Sequence, residues 1–365
     1  MGNRHYAWAQ RAGAAGWALG LSACLCAGLV GTVCAQPTAP GQKLRIVGGL
    51  AGLNQYTRNE EPFWTQELPR LTGGKYSAEI TPFDRAGVPG AEMLRLMQLG
   101  VVPFGTALLS NISSQYPEYA APDLAGLNPD MATLKKTVAA FRPYLQKDLR
   151  ERHGVEMLGL YTYPAQVVFC KRPLASLSDL SGRRIRVSSS TQADFVSALG
   201  GVPVLIGFAQ LLPNMASGNT ECAITGTMSG NVLGLYEITT HVHALPIGWG
   251  LAIFGANLAA WDSLPGDLRA VLANELPKLE AAIWQESDRE TAEGLACNRG
   301  LPTCTNGRKG HMQQVAISAQ DERSRKDIFT STVLPRWLQR CNGRCNALWN
   351  QTIGAALGLT TAPAK

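Results

Sequence analysis

The sequence predicts an α/β fold of two lobes joined by a hinge and closing on an interdomain cleft, and three observations predict it. Short strand and helix patterns alternate from 44 to 104 and again from 155 to 238, which is the signature of layered α/β units with parallel pairing. Two extended runs, one around Pro164 and a mostly apolar one from 241 to 256, read as crossings between the two units. The third observation is size: 365 residues, 45% hydrophobic and only 16% charged, are enough to bury two cores.

Taken in order, residues 44–47 form an apolar strand ending in Gly48-Gly49. Helical spacing follows at Phe63, Trp64 and Leu68, with Pro62 tolerated in the first turn and Gly73-Gly74 ending the helix. Residues 76–82 are the next strand. Ala91, Met93, Leu94, Leu96 and Met97 then mark an amphipathic helix from Gly90 to near Gly100, and 101–104 is again a strand. A helix over 129–153 carries Leu134, Val138, Phe141, Leu145 and Leu149, an apolar stripe made to cover a sheet. Strands at 155–161 and 166–170 flank Pro164, where the chain changes lobe. The second unit holds a strand at 184–187, a helix over 192–199 stopped by Gly200-Gly201, a strand at 202–205, a helix over 208–215, a strand at 222–225 and a helical stretch over 231–238. After the return crossing, Trp261, Leu264 and Pro265 open a long helix to 295, and 327–357 is helical and aromatic, with Trp337 and Trp349. The expected organisation is therefore a signal peptide over 1–35, a linker over 36–42, lobe I from 43–163, lobe II from 164–250, and a return to lobe I over 251–365.

The leader is read from Arg4 and Arg11, the uncharged run 13–33 and the small residues Val33-Cys34-Ala35, which predict cleavage after Ala35 and export. Leu21-Ser22-Ala23-Cys24 offers an alternative, lipoprotein processing with Cys24 acylated, although the apolar run continues beyond that cysteine. No later apolar run approaches the ~20 residues that span a bilayer. Beyond the leader stand Cys170, Cys222, Cys297, Cys304, Cys341 and Cys345, an even set that favours disulfides in an oxidising compartment. Cys297 with Cys304 and Cys341 with Cys345 close small loops, whereas Cys170 and Cys222 can bond only if their strands are neighbours. Cys341 and Cys345 lack the nearby histidines of a zinc site. The net charge of +6 comes without any Lys/Arg cluster interleaved with aromatics, so a nucleic-acid partner is excluded.

The densest charge lies in GRRIRVSSS, residues 182–190. Strand alternation sets Ile185 and Val187 on one face and Arg184 and Arg186 on the other. An arginine at a strand end followed by serines can fork a carboxylate and add hydroxyl donors, against the plainer reading of a solvated face. Other chemistry is weak. His241-x-His243 lacks a third ligand, residues 226–230 read GTMSG rather than a nucleophile elbow, and the glycines after the first strand do not form a dinucleotide fingerprint. No metal, cofactor or catalytic residue is expected.

Three runs carry a resemblance: PLASLSDLSGRRIRV at 173–187, ALGGVPVLIGFAQLLPNMASG at 198–218 and WDSLPGDLRAVL at 261–272. They resemble the DctP-type extracytoplasmic solute receptors of tripartite ATP-independent periplasmic (TRAP) transporters. The resemblance implies a periplasmic-binding-protein fold with a long helix spanning both lobes. It also implies a non-enzymatic, monomeric receptor in the periplasm that binds an organic acid and delivers it to a membrane permease. By the same resemblance Arg186 binds the ligand carboxylate, Ser189 is the next polar ligand position and Phe208 the aromatic packed on the ligand. Gln166 stands where a second arginine often lies, and Thr225 at the ligand-proximal polar position, with Ile224 in place of an acidic partner. These departures point to a less polar monocarboxylate, with Trp249 as a wall; Glu92 completes the candidate set. Two rival readings remain: a secreted hydrolase using His241 or His243 as base, and a receptor presenting its ligand to a membrane kinase.

Overall fold

The computed structural model describes residues 43–362. The expected signal peptide, the linker and the acylation alternative at Cys24 lie outside those residues. Within them the strands are β1 (Lys43–Gly48), β2 (Ser77–Pro82), β3 (Phe104–Leu108), β4 (Val155–Thr162), β5 (Gln166–Cys170), β6 (Arg184–Val187), β7 (Val202–Leu205), β8 (Cys222–Gly226), β9 (His241–Gly248), β10 (Leu251–Asn257) and β11 (Gln313–Val315). They form two sheets, ordered β2-β1-β3-β10-β4 and β11-β9-β5-β8-β6-β7.

Each sheet is parallel where consecutive strands are joined through helices, as β1 with β2 and β3, and β6 with β7 and β8. The crossing strands run against these: β10 is antiparallel to β3 and β4, and β5 to β8 and β9. A strand that enters its sheet from the other lobe arrives from the opposite end, so the mixed pairing follows from the crossings. The two crossings hold each other, because Tyr163 N donates to Gly250 O at 3.1 Å. Gly250 has φ +82°, a conformation that favours glycine. Asp123 accepts from Trp249 N at 2.9 Å and from Gly250 N at 2.7 Å. Burial pushes its carboxyl up to about 6.

The helix Met131–His153 is capped by Asp130, which accepts from Thr133 N, and it buries the expected stripe from Leu134 to Leu149. The helix Gly266–Arg299 touches both lobes. Near its middle, Trp284 Nε1 donates to Leu160 O at 2.7 Å, while toward its end Thr227 Oγ1 donates to Glu290 O at 3.0 Å. Gly294 makes that second approach possible, since a Cβ there would lie 2.3 Å from Met228 N. Among the described residues no helix is long and apolar enough to cross a membrane.

Three elements differ from expectation. Helix begins at Gln55 rather than near Pro62, in wide turns over Gln55–Glu60 and Phe63–Glu67. The third strand starts at Phe104 and not at 101: the Gly100 turn leaves Val101 exposed, and Pro103 has no N–H to give a ladder. The strand β11 joins the second sheet beside β9, so the stretch 251–365 contributes to both lobes. Its QQV sequence carries no alternation by which it could be read. All six later cysteines pair: Cys170–Cys222, Cys297–Cys304 and Cys341–Cys345. The first pair forms because β5 and β8 are neighbours with these two residues in register.

Candidate ligand-binding site

A cavity of about 480 Å³ lies between the two lobes. Its walls are the loops that leave the carboxyl ends of the parallel strands, where open α/β sheets bind ligands. Leu50 and Leu53 follow β1, Phe83 and Asp84 follow β2, and Ser110, Asn111 and Ser113 follow β3. From the second lobe come Ser188 to Ser190 after β6, Ile206 to Phe208 after β7, and Thr225 and Ser229 around the end of β8.

Arg186 lines this cavity and is only 2% exposed. Its strand is central to the parallel part of the sheet, so its guanidinium reaches both neighbours. Nε donates to Ile206 O at 2.9 Å and Nη1 to Ile224 O at 2.7 Å. Nη2 has no protein acceptor among the described residues, and no carboxylate there forms an ion pair with the group. Burial alone pushes its pKa down to about 10. A buried cation held by neutral carbonyls, with one edge left over, is arranged to receive an anion. Arg184, on the same strand face, is exposed and donates to Gly218 O, so position along the strand rather than face separates the two arginines.

Ser189 caps the helix Ser190–Ala198 by accepting from Gln192 N at 3.2 Å, which sets that helix's amino end at the cavity. Phe208 packs from lobe II onto the lobe I cluster around Leu50, Leu53 and Tyr163. Gln166 and Thr225 also line the cavity. Five of the seven candidate residues are thus brought together.

Two are not. Trp249 is buried in the core, donating from Nε1 to Asn128 O at 3.0 Å, and it is the neighbouring Gly250 that faces the cavity. The chain turns here, with Gly250 at φ +82°, so the side chain of Trp249 packs into the core while the glycine backbone is left at the cavity. Glu92 sits outside the cavity, 3.6 Å from Arg95 and accepting from Gln115 Nε2, while Gly90 and Ala91 form the wall. There its charge stays solvated. His241 and His243 do not line the cavity either: His243 is fully buried, 3.3 Å from Asp321, and His241 bonds Thr240. Sequence reading missed Tyr163, Asn111 and Gln192. The Ser/Asn-rich LLSNISS run after β3 was the available signal, since it follows a parallel strand's carboxyl end.

The family described as bacterial extracellular solute-binding protein, family 7 (DctP), matches residues 52–297. The chain belongs to this family. DctP proteins are solute-binding receptors, not enzymes. Solved relatives share the fold. The chain superposes with TM-score 0.75 on DctP7 of Bordetella pertussis, an extracytoplasmic solute receptor binding pyroglutamic acid, at 20% identity over 87% of this chain and 99% of that one. The TRAP periplasmic solute-binding protein of Desulfovibrio salexigens, with bound orotic acid, also gives 0.75, at 16% identity over 87% and 99%. The TRAP protein of Haemophilus influenzae with bound L-gulonate gives 0.73, at 14% over 86% and 99%. A Salmonella typhimurium relative, the uncharacterized protein YiiZ, is 25% identical over 203 residues, and the matched stretch covers 51% of this chain and 61% of that protein.

Proposed function

We propose that this DctP-family chain is the periplasmic receptor of a TRAP transporter, binding an organic monocarboxylate through Arg186 and delivering it to a membrane permease. The observation that carries the reading is the buried guanidinium of Arg186, without a carboxylate partner, at the cavity between the lobes. The ligands of the three solved relatives, pyroglutamic acid, orotic acid and L-gulonate, are all organic acids and support it. In this reading Gln166, Ser189 and Thr225 supply polar contacts and Phe208 covers the ligand. Leu50, Leu53, Phe83 and Leu108 give the cavity an apolar wall suited to a less polar acid.

Energy shows why the lobes must close. Micromolar binding needs about 8 kcal/mol, and a charged hydrogen bond gives roughly 1.5–3. The remainder comes from apolar burial and further donors, which closing the cleft provides while removing water. The exported protein acts as a monomer, with the hinge at 163–164 and 249–250.

The test is a thermal-shift and calorimetric screen of organic acids, with mass spectrometry of the mixture. A receptor is stabilised by its acid and returns it unaltered. Retention of full affinity by Arg186→Ala, or release of a changed product, overturns the reading.

A further inference from the structure

Gln166 and Arg186 flank β8 from either side, on β5 and β6, and both line the cavity. Arg186 can only donate. An amide can donate or accept, so which end Gln166 turns to the ligand decides what can sit there. The surrounding bonds settle that choice.

Ser188 N donates to Gln192 Oε1 at 2.9 Å, and Ser188 Oγ donates to the same oxygen at 3.1 Å. A backbone N–H cannot reverse its role, so the end of Gln192 that faces Ser188 must be its oxygen. Its other end, Nε2, donates to Gln166 Oε1. The end of Gln166 left over is therefore its NH2. Gln192 is only 4% exposed, so an inverted amide would set N–H against N–H with little access to water. The free Nε2 of Gln166 lies over Gly250, where an added Cβ would come within 2.8 Å of it. Among the described residues it has no protein acceptor.

We infer that Gln192 is a positioning residue which, through Ser188, locks the Gln166 amide with its donor end toward the ligand, so that the cleft selects acids bearing a second hydrogen-bond acceptor beside the carboxylate and rejects those bearing an ammonium there. The inference rests on the carboxylate reading of the cleft. The polarity begins at one peptide N–H and passes through two side-chain amides to the cavity. No charge is needed on either glutamine.

The experiment compares acids that share a carbon skeleton and differ at C2: pyruvate with alanine, 4-methyl-2-oxopentanoate with leucine, and phenylpyruvate with phenylalanine. Affinities are measured by calorimetry for the wild type, Gln192→Glu, Gln192→Met and Arg186→Ala. The wild type is expected to prefer the 2-oxo member of at least one pair by more than about tenfold. Glutamate at 192 accepts from both Ser188 and Gln166, turning the Gln166 oxygen to the ligand, and should lower that ratio by about tenfold or more. Methionine releases the lock without adding charge and should lower it less; it also serves if the glutamate variant fails to fold. Loss of a merely structural contact would weaken both members of a pair equally and leave the ratio alone. An unchanged ratio in a folded variant, with binding still abolished by Arg186→Ala, overturns the inference while leaving the receptor reading intact. If no 2-oxo acid binds, the inference also fails, and the wider acid screen then decides the receptor reading separately.

Discussion

Replacing Arg186 by methionine removes the buried charge while keeping most of the side chain's volume. Burial pushes this guanidinium's pKa well down from its ordinary value, to about 10. At 1.36 kcal/mol per pKa unit, holding the buried cation therefore disfavours folding by about 3 kcal/mol. The sign follows from the direction: a cation whose folded pKa is depressed is charged in both states at neutral pH and better solvated when unfolded. The two charged bonds to Ile206 O and Ile224 O return about 3 kcal/mol, at about 1.5 kcal/mol each. Arg186→Met should then change the stability of the ligand-free protein by no more than about 1 kcal/mol. Binding should respond very differently. A forked carboxylate contact of two charged hydrogen bonds is worth about 3–6 kcal/mol, so affinity should fall by about 10²- to 10⁴-fold. Calorimetry with the tightest acid from the screen, beside urea denaturation without ligand, reads both quantities. Unchanged affinity refutes the carboxylate clamp. A stability loss of about 3 kcal/mol or more would refute the electrostatic reasoning, because that is what breaking an internally paired ion does.

Three further outcomes are expected. Glu60 is fully buried, accepts from Gly49 N and Gln55 Nε2, and burial raises its carboxyl to about 7. The folded protein thus holds this proton longer than the unfolded chain, and the stability it contributes is full below about pH 4.5 and lost as pH rises through 7. Glu60→Gln should therefore show a smaller fall in urea midpoint between pH 5 and pH 8 than the wild type; identical falls would sink the idea. Phe208→Ala removes an aromatic that reaches across to the lobe I cluster, and the acid's affinity should drop by about tenfold in calorimetry; no change in a folded variant would place the ring off the ligand. Replacing Cys170 and Cys222 together by alanine opens a link 52 residues apart in sequence, for which the chain-entropy model gives about 4 kcal/mol. Urea denaturation checks it, and a loss under about 1 kcal/mol would contradict the model.

At Arg186 the strand pattern ending in a serine loop left a carboxylate fork and a solvated face both open; the family resemblance singled the residue out, and the structure puts it at the cavity, where parallel strands open onto the cleft. Phe208, Ser189 and Thr225 were singled out only by the family resemblance, and the structure sets all three on the cavity wall. Trp249 and Glu92 were misplaced for a shared reason: each stands in a turn one residue from the cavity wall, and the local sequence leaves the direction of such a turn open. Gln192 was hidden inside an ordinary helical pattern. Its role depends on Ser188 and Gln166, and Gln166, on β5, meets it only once the second sheet is assembled.

By itself the sequence determined the alternating elements, the apolar stripes of Met131–His153 and Gly266–Arg299, and the charge that ends β6, because each is a local matter of periodicity and turn chemistry. Only the tertiary structure decided that Arg186 is buried while Arg184 is not, that Cys170 meets Cys222, and which end of the Gln166 amide is bonded to Gln192. Those outcomes depend on burial, strand register and hydrogen-bond direction between segments far apart in the chain. They exist only once the two lobes are assembled around the cleft.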